Sequence, residues 1–194
     1  GVGIVRSRMP SDDDVRRRLI AHLRTHAVRT DGPFTLRSGA VSDWYIDARK
    51  TTFDGPGASA VGDAVLAALD SSVVAVGGMT MGADPIALAT VIRAADRQRH
   101  LRAFSIRKEE KPHGTGGRLV GPVVAGDVVA IVDDTVTTGG ALAESIQVAL
   151  GAGLVIAQVL ALVDRSNGVV TERVQAAGFE FSALVDVSEL GVGT

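Results

Sequence analysis

The segment Val128-Val-Ala-Ile-Val-Asp-Asp-Thr-Val-Thr-Thr-Gly-Gly-Ala141 constrains the fold more than any other part of this sequence. Its opening run, Val128–Val132, is short, continuous and apolar, the pattern of a parallel strand buried on both faces. Two adjacent carboxylates, Asp133 and Asp134, close the run. The five residues Thr135 to Gly139 then read as a turn into a helix that opens near Gly139. Such a turn offers backbone N–H groups, hydroxyls and a helix N-terminus, a set that suits a phosphate. Two carboxylates beside it can accept hydrogen bonds from sugar hydroxyls. Open α/β sheets bind ligands at the carboxyl ends of their strands, where this segment would lie. The Gly-Lys-Ser/Thr of a Walker loop and the GxGxxG of a dinucleotide fingerprint are both missing, so neither explains it.

The rest of the chain alternates between helical and strand patterns. Ser11 reads as an N-cap before Asp12, Asp13 and Asp14, with Val15, Leu19, Ile20 and Leu23 at helical spacing. Residues 30–47 are mixed, with short extended pieces expected at 34–36 and 44–46. A helix is expected over 58–69 and a buried strand over 73–76, ending in Gly77-Gly78. Asp84-Pro85 reads as a cap followed by proline at the first helical position, opening a helix that runs to about Arg97. A strand follows at 103–106, then one long polar, Gly-rich loop, then strands at 155–163 and 181–185 separated by a helix at about 168–177. Strands alternating with helices of this length predict an α/β fold, a mostly parallel central sheet flanked by helices. The single domain is expected to span 1–194, with a small N-terminal hood over about 11–50. Met9 reads as a native start, with residues 1–8 ahead of it as a remnant.

Composition narrows the function classes. There is no cysteine, so disulfides, thiolate nucleophiles and Cys-ligated zinc are excluded. Acids number 22 against 20 Lys and Arg, without the basic excess expected of a nucleic-acid binder. No apolar run reaches membrane-spanning length, and the start lacks the apolar core of a secretory signal, so a cytoplasmic protein with no membrane partner is expected. Aromatic residues are only 4%, so the core must be built of Val, Leu, Ile and Ala.

The strand–acid pair–threonine turn resembles the phosphoribosyl pyrophosphate (PRPP) signature of the type I phosphoribosyltransferases. The resemblance implies that fold, and that Asp133 and Asp134 hold the ribose hydroxyls. Thr135, Val136, Thr137, Thr138, Gly139 and Gly140 would hold the 5′-phosphate. Three further segments resemble the orotate-specific members. Arg107-Lys-Glu-Glu-Lys-Pro-His-Gly-Thr-Gly-Gly117 matches a catalytic loop of the form Arg-Lys-x-x-Lys-x-His-Gly. Phe34-Thr-Leu-Arg-Ser-Gly-Ala-Val-Ser-Asp-Trp-Tyr-Ile-Asp47 matches the hood, with Arg37 where the family usually has a PRPP-binding lysine. Asp164-Arg165 matches the place where an arginine meets the orotate carboxylate, and Thr137, Tyr45 and Ile46 would complete the base site. One departure stands out: Thr80-Met81 occupies the place of the family's Tyr-Lys pair, so a pyrophosphate-binding lysine is missing there.

What the resemblance implies is conversion of orotate and PRPP to orotidine 5′-monophosphate and pyrophosphate. Lys111 would neutralise or protonate the leaving pyrophosphate, assisted by Arg107, Lys108 and His113. The loop 107–121 is expected to be flexible and to reach the neighbouring subunit of a homodimer. Mg²⁺ is expected as cofactor, held mainly by substrate and water rather than by dedicated protein ligands. Alternatives are a phosphoribosyltransferase for another nucleobase, or a non-catalytic PRPP-sensing regulator that binds nucleic acid. His22, His26 and His100 have no partner evident in the sequence and read as surface or core residues.

Overall fold

The computed structural model describes residues 11–36, 39–109 and 117–193. The described chain opens with α1 (Asp12–His22), capped by Ser11, whose hydroxyl accepts the Asp14 amide. Its three first-turn acids sit at the positive end of the helix dipole. A π-type turn, Leu23–Ala27, leads into four two-residue strands, β1 (Val28–Arg29), β2 (Phe34–Thr35), β3 (Val41–Ser42) and β4 (Tyr45–Ile46). β1 pairs antiparallel with β4, and β2 with β3. The hood is therefore two short ribbons, each expected extended piece being one residue shorter than read from the sequence.

Two helices, α2 (Arg49–Thr52) and α3 (Gly55–Ala68), follow. Asp54 caps α3 through the Gly57 amide, which starts the helix three residues before the expected 58. The same carboxylate answers for His22, read above as unpartnered. His22 Nε2 lies 2.9 Å from Asp54 Oδ2 and Nδ1 lies 3.1 Å from Thr51 Oγ1. The ring also stacks on His26, with centroids 4.3 Å apart.

The central sheet is built from β5 (Ala75–Met79), β6 (Arg102–Ile106), β7 (Leu119–Val120), β8 (Val128–Val136), β9 (Val155–Asp164) and β10 (Phe181–Asp186). Their order is β10-β9-β8-β5-β6-β7. All pairs are parallel except β6 with β7, an antiparallel edge strand inside the stretch expected to be loop. α4 (Ala83–Asp96), α5 (Gly140–Gly151) and α6 (Val169–Ala176) connect the strands.

Three boundaries differ from the sequence reading. β8 runs on through both acids to Val136, because Thr135 pairs with Val163 and Val136 with Asp164 of the long neighbour β9. The turn is therefore Thr137–Gly139, not Thr135–Gly139. β5 begins at Ala75 and includes Gly77 and Gly78, which were read as lying beyond it. α4 has Gly82 as its N-cap and no side-chain cap. Asp84 instead sits within the first turn and accepts the Thr80 hydroxyl at 2.6 Å.

The alternation of strand side chains divides the core into two layers. Ala130 and Val132 of β8 face α1, α3 and α4, packing with Leu19, Val61, Val65 and Ile86. Val129 and Ile131 face α5 and α6, packing with Leu142, Ile146, Val170 and Val174. Each fully buried Val, Leu or Ile contributes roughly 1.5–3 kcal/mol relative to exposure. Among the described residues Phe104 is the one aromatic fully inside this aliphatic core. One buried acid crosses the first layer: Asp63 of α3 meets Arg18 of α1 together with Arg93 of α4 and Arg97 just beyond its end.

Candidate active site

The connection after β5 runs to β6 on one side of the sheet, and the connection after β8 runs to β9 on the other. The carboxyl ends of β5 and β8 thus form the switch point at which α/β sheets open a ligand crevice. The turn after β5 lies directly on the acid pair of β8. A Cβ built at Gly82 would stand 2.9 Å from both Asp133 Oδ1 and Asp134 Oδ1, so a larger residue here would force the carboxylates or the turn to shift. The Thr80–Met81 peptide in this turn is cis.

Burial, and then the charge of Asp134, push the Asp133 carboxyl up to about 7. Asp134 is also raised, chiefly by burial, although the Thr135 amide and the nearby Arg49 charge oppose the shift. The Asp134 amide donates to Asp133 Oδ1 at 3.0 Å and the Thr135 amide to Asp134 Oδ1 at 2.7 Å. These backbone donors leave the pair short of positive charge. Two neighbouring atoms, Asp84 Oδ1 and Thr135 Oγ1, are buried without a hydrogen-bond partner. The arrangement leaves buried acceptor atoms available to hydroxyl donors.

Beyond the acids, Thr137 and Thr138 are exposed while the Val136 side chain is buried in the second core layer, so Val136 offers only its backbone. Gly139 adopts φ +72°, a left-handed conformation that turns the chain into α5, and no side chain caps that helix. The first amides of α5, beginning at Gly140, are thus free of a side-chain cap at the mouth of the turn.

Arg165 is brought beside this turn by its own amide, which donates to the Val136 carbonyl at 3.0 Å. Its guanidinium carbon lies 4.5 Å from the centroid of the Trp44 ring. Burial lowers its pKa, and among the described residues no carboxylate pairs with it. Asp164 does not serve that purpose, because its carboxylate accepts the Ser166 amide at 2.7 Å. Of the two hood residues, Tyr45 is half-buried against Phe34, with centroids 5.8 Å apart, and Ile46 is only 4% exposed. Ile46 therefore presents backbone, not side chain.

Arg107 and Arg118 clamp the base of the long loop: the Arg107 amide donates to the Arg118 carbonyl, and Arg118 Nε donates back to the Arg107 carbonyl. Lys108 is exposed beside them. Lys111 and His113 of this loop, and Arg37 of the hood, lie outside the described residues. Arg49 is a cation that the sequence reading missed. It pairs with Asp47 at 2.9 Å and its charge acts on Asp134. The only sequence signal was its place two residues after the hood's last matched position, Asp47. Two grooves beside α1, of about 250 and 480 Å³, share no residue with this cleft.

No protein-family model matches the chain. Curated proteins and solved structures do. The orotate phosphoribosyltransferase of Streptomyces avermitilis is 40% identical over 181 residues, covering 93% of this chain and 99% of that protein. The crystal structure of Mycobacterium tuberculosis orotate phosphoribosyltransferase in complex with Fe(III) dicitrate superposes with a TM-score of 0.80 at 31% identity, covering 92% of this chain and 99% of that one. The same Mycobacterium tuberculosis enzyme in complex with PRPP gives a TM-score of 0.75 at 26% identity, covering 94% of each chain.

Proposed function

The chain belongs to the orotate phosphoribosyltransferase family, and from that premise we propose that it transfers the phosphoribosyl group of PRPP to orotate, giving orotidine 5′-monophosphate and pyrophosphate in pyrimidine synthesis. One observation carries the reading. The acid pair, the uncapped phosphate turn and a half-buried arginine without a carboxylate partner among the described residues stand together at the ends of two adjacent strands, β8 and β9.

In this reading Asp133 and Asp134 accept the ribose hydroxyls, and Thr137, Thr138 and the amides of Val136, Gly139 and Gly140 bind the 5′-phosphate. Thr135 adds a buried hydroxyl at the floor of the turn. Arg165 binds the orotate carboxylate through paired N–H donors, with Thr137 and the backbone of Tyr45 and Ile46 along the planar base. As pyrophosphate leaves, the anomeric carbon becomes oxocarbenium-like and the orotate nitrogen bonds to it from the opposite face. The chain's work is alignment and charge stabilisation. Lys111 neutralises or protonates the leaving group, with Arg107, Lys108, His113 and Arg37 supplying further charge. The short backbone turn at Thr80–Gly82 stands in for the missing lysine by presenting amides to pyrophosphate.

Mg²⁺ fits this donor set. Asp133 and Asp134 are adjacent hard oxygen donors whose carboxyls burial pushes up, with the Asp134 charge adding to the shift at Asp133. Among the described residues no group of three metal-ligating side chains converges, so the ion's remaining ligands are substrate phosphates and water. Bound there, it would supply positive charge to the pyrophosphate.

A homodimer is part of the same reading. Leu88 and Ile92, one turn apart on α4, are 55% and 60% exposed, and Met81 ahead of that helix is 57% exposed. This apolar stripe suits a second copy of the chain. Among the described residues no helix is long and apolar enough to cross a membrane. A cytoplasmic location is part of the proposal and rests on the family reading. Loop sharing is tested by mixing Lys111→Ala subunits with Asp133→Ala subunits. Mixed dimers should recover up to about a quarter of wild-type activity, since a random mixture restores one intact site in half of the dimers. No recovery after confirmed subunit exchange would confine the loop to its own subunit.

A further inference from the structure

We propose that Trp44 is a positioning residue that sets base affinity, holding the Arg165 guanidinium by cation–π contact so that its N–H fork meets the carboxylate of the base. The inference rests on the reading of Arg165 given above. Its physical ground is the way this arginine is kept inside the protein. Arg18, Arg93, Arg97, Arg102 and Arg118 each reach a carboxylate. Arg165 is half-buried and desolvated, yet among the described residues its side chain meets no acid. What faces its charge is the Trp44 ring, 4.5 Å from the guanidinium carbon. Tryptophan gives the strongest such contact among the aromatic side chains, and the contact strengthens as water is excluded.

Trp44 is itself well held. The Ser42 hydroxyl donates to the Trp44 carbonyl at 2.8 Å and accepts the Trp44 amide at 3.3 Å. The ring packs against the first core layer, and a Cβ built at Gly193 would stand 3.5 Å from its Cζ2. A fixed indole face beside the guanidinium restricts where the cation can lie. A contact made to the ring face leaves guanidinium N–H donors over for a planar carboxylate. A flexible arginine without the platform would have to be ordered by the base itself, at a cost in affinity.

The test separates positioning from mere packing. Trp44→Leu fills apolar space without a π face, and Trp44→Phe keeps a smaller one. With Mg²⁺ present, the KM for orotate should rise about tenfold in Trp44→Leu and about two- to threefold in Trp44→Phe, while the KM for PRPP stays within about twofold of wild type. A purely structural role would instead shift both KM values together or lower kcat alone, and that pattern would overturn the inference, as would an unchanged orotate KM in both variants. If Trp44→Leu does not fold, Trp44→Phe decides: a two- to threefold rise confined to orotate supports the platform, and no change overturns it. A wild-type protein that consumes no orotate would defeat the functional reading instead, and is recognised separately because it needs no variant.

Discussion

Asp133→Asn should make the ligand-free protein more stable at pH 8 while lowering kcat/KM for PRPP by about two orders of magnitude or more. The two effects have one origin. Asp133 is 9% exposed, its carboxyl is pushed up to about 7 by burial and by Asp134, and it is answered only by a backbone amide. A carboxyl whose folded pKa is raised carries no penalty below its unfolded value of about 4. The penalty grows as pH rises and is complete above about 7. The full shift corresponds to about 4 kcal/mol, of which the neutral amide should recover about 1–2 kcal/mol, because it carries its own desolvation cost. For a chain of this size that is about 5 °C in Tm. Thermal unfolding at pH 4 and pH 8 reads the difference: the variant's advantage should be present at pH 8 and absent at pH 4. An equal change at both values would show that the site's charge is not the source of the instability.

The second large effect lies far from the cleft. Asp63→Asn should destabilise the protein by about 3–5 kcal/mol, a fall of about 10–15 °C in Tm, while the enzyme still folded at 20 °C keeps its activity. The Asp63 side chain is 1% exposed and receives Arg93 Nε at 2.7 Å, Arg97 Nη2 at 2.8 Å and Arg18 Nη2 at 2.9 Å. These bonds tie α1, α3 and the end of α4 at one buried point. Removing the charge leaves three guanidinium groups facing one another. Arg18 is 50% exposed and can turn to water, which favours the lower end of the range. Burial alone would push the Asp63 carboxyl up, but the three arginines outweigh it and hold the carboxyl below the usual carboxylate range. Its contribution is therefore present at neutral pH and is lost as pH falls through that lowered value. The gap in Tm between wild type and variant should narrow correspondingly in acid. A constant gap down to pH 2 would mean that packing, not charge, holds the three helices.

The elements that the sequence announced are those whose own residues determine them. The first half of β8 is an uninterrupted aliphatic run, β9 is one broken only by Gln158 before its closing Asp164, and Ser11 with three following acids has one sensible use, a helix start. β7 escaped notice because two apolar residues carry no period, and its existence depends on β6 offering an edge. The extension of β8 through Asp133–Val136 was hidden for the opposite reason. Its residues look like a turn, and only the length of β9 keeps them in the sheet. At the site, the acid pair, the threonine turn and Arg165 were legible because each lies in a local pattern. Arg49, the approach of Gly82 to both acids and the stack of Arg165 on Trp44 were not. Each joins segments far apart in the chain, and single-residue identity says nothing of which will meet.

The central claim, that this cleft joins orotate to the ribose of PRPP, is tested most directly by following orotate absorbance after adding PRPP and Mg²⁺, with wild type beside Lys111→Ala. The account predicts a loss of orotate that requires PRPP and slows by at least about an order of magnitude in the variant. Folded wild-type protein that binds PRPP but leaves orotate unconsumed would contradict it.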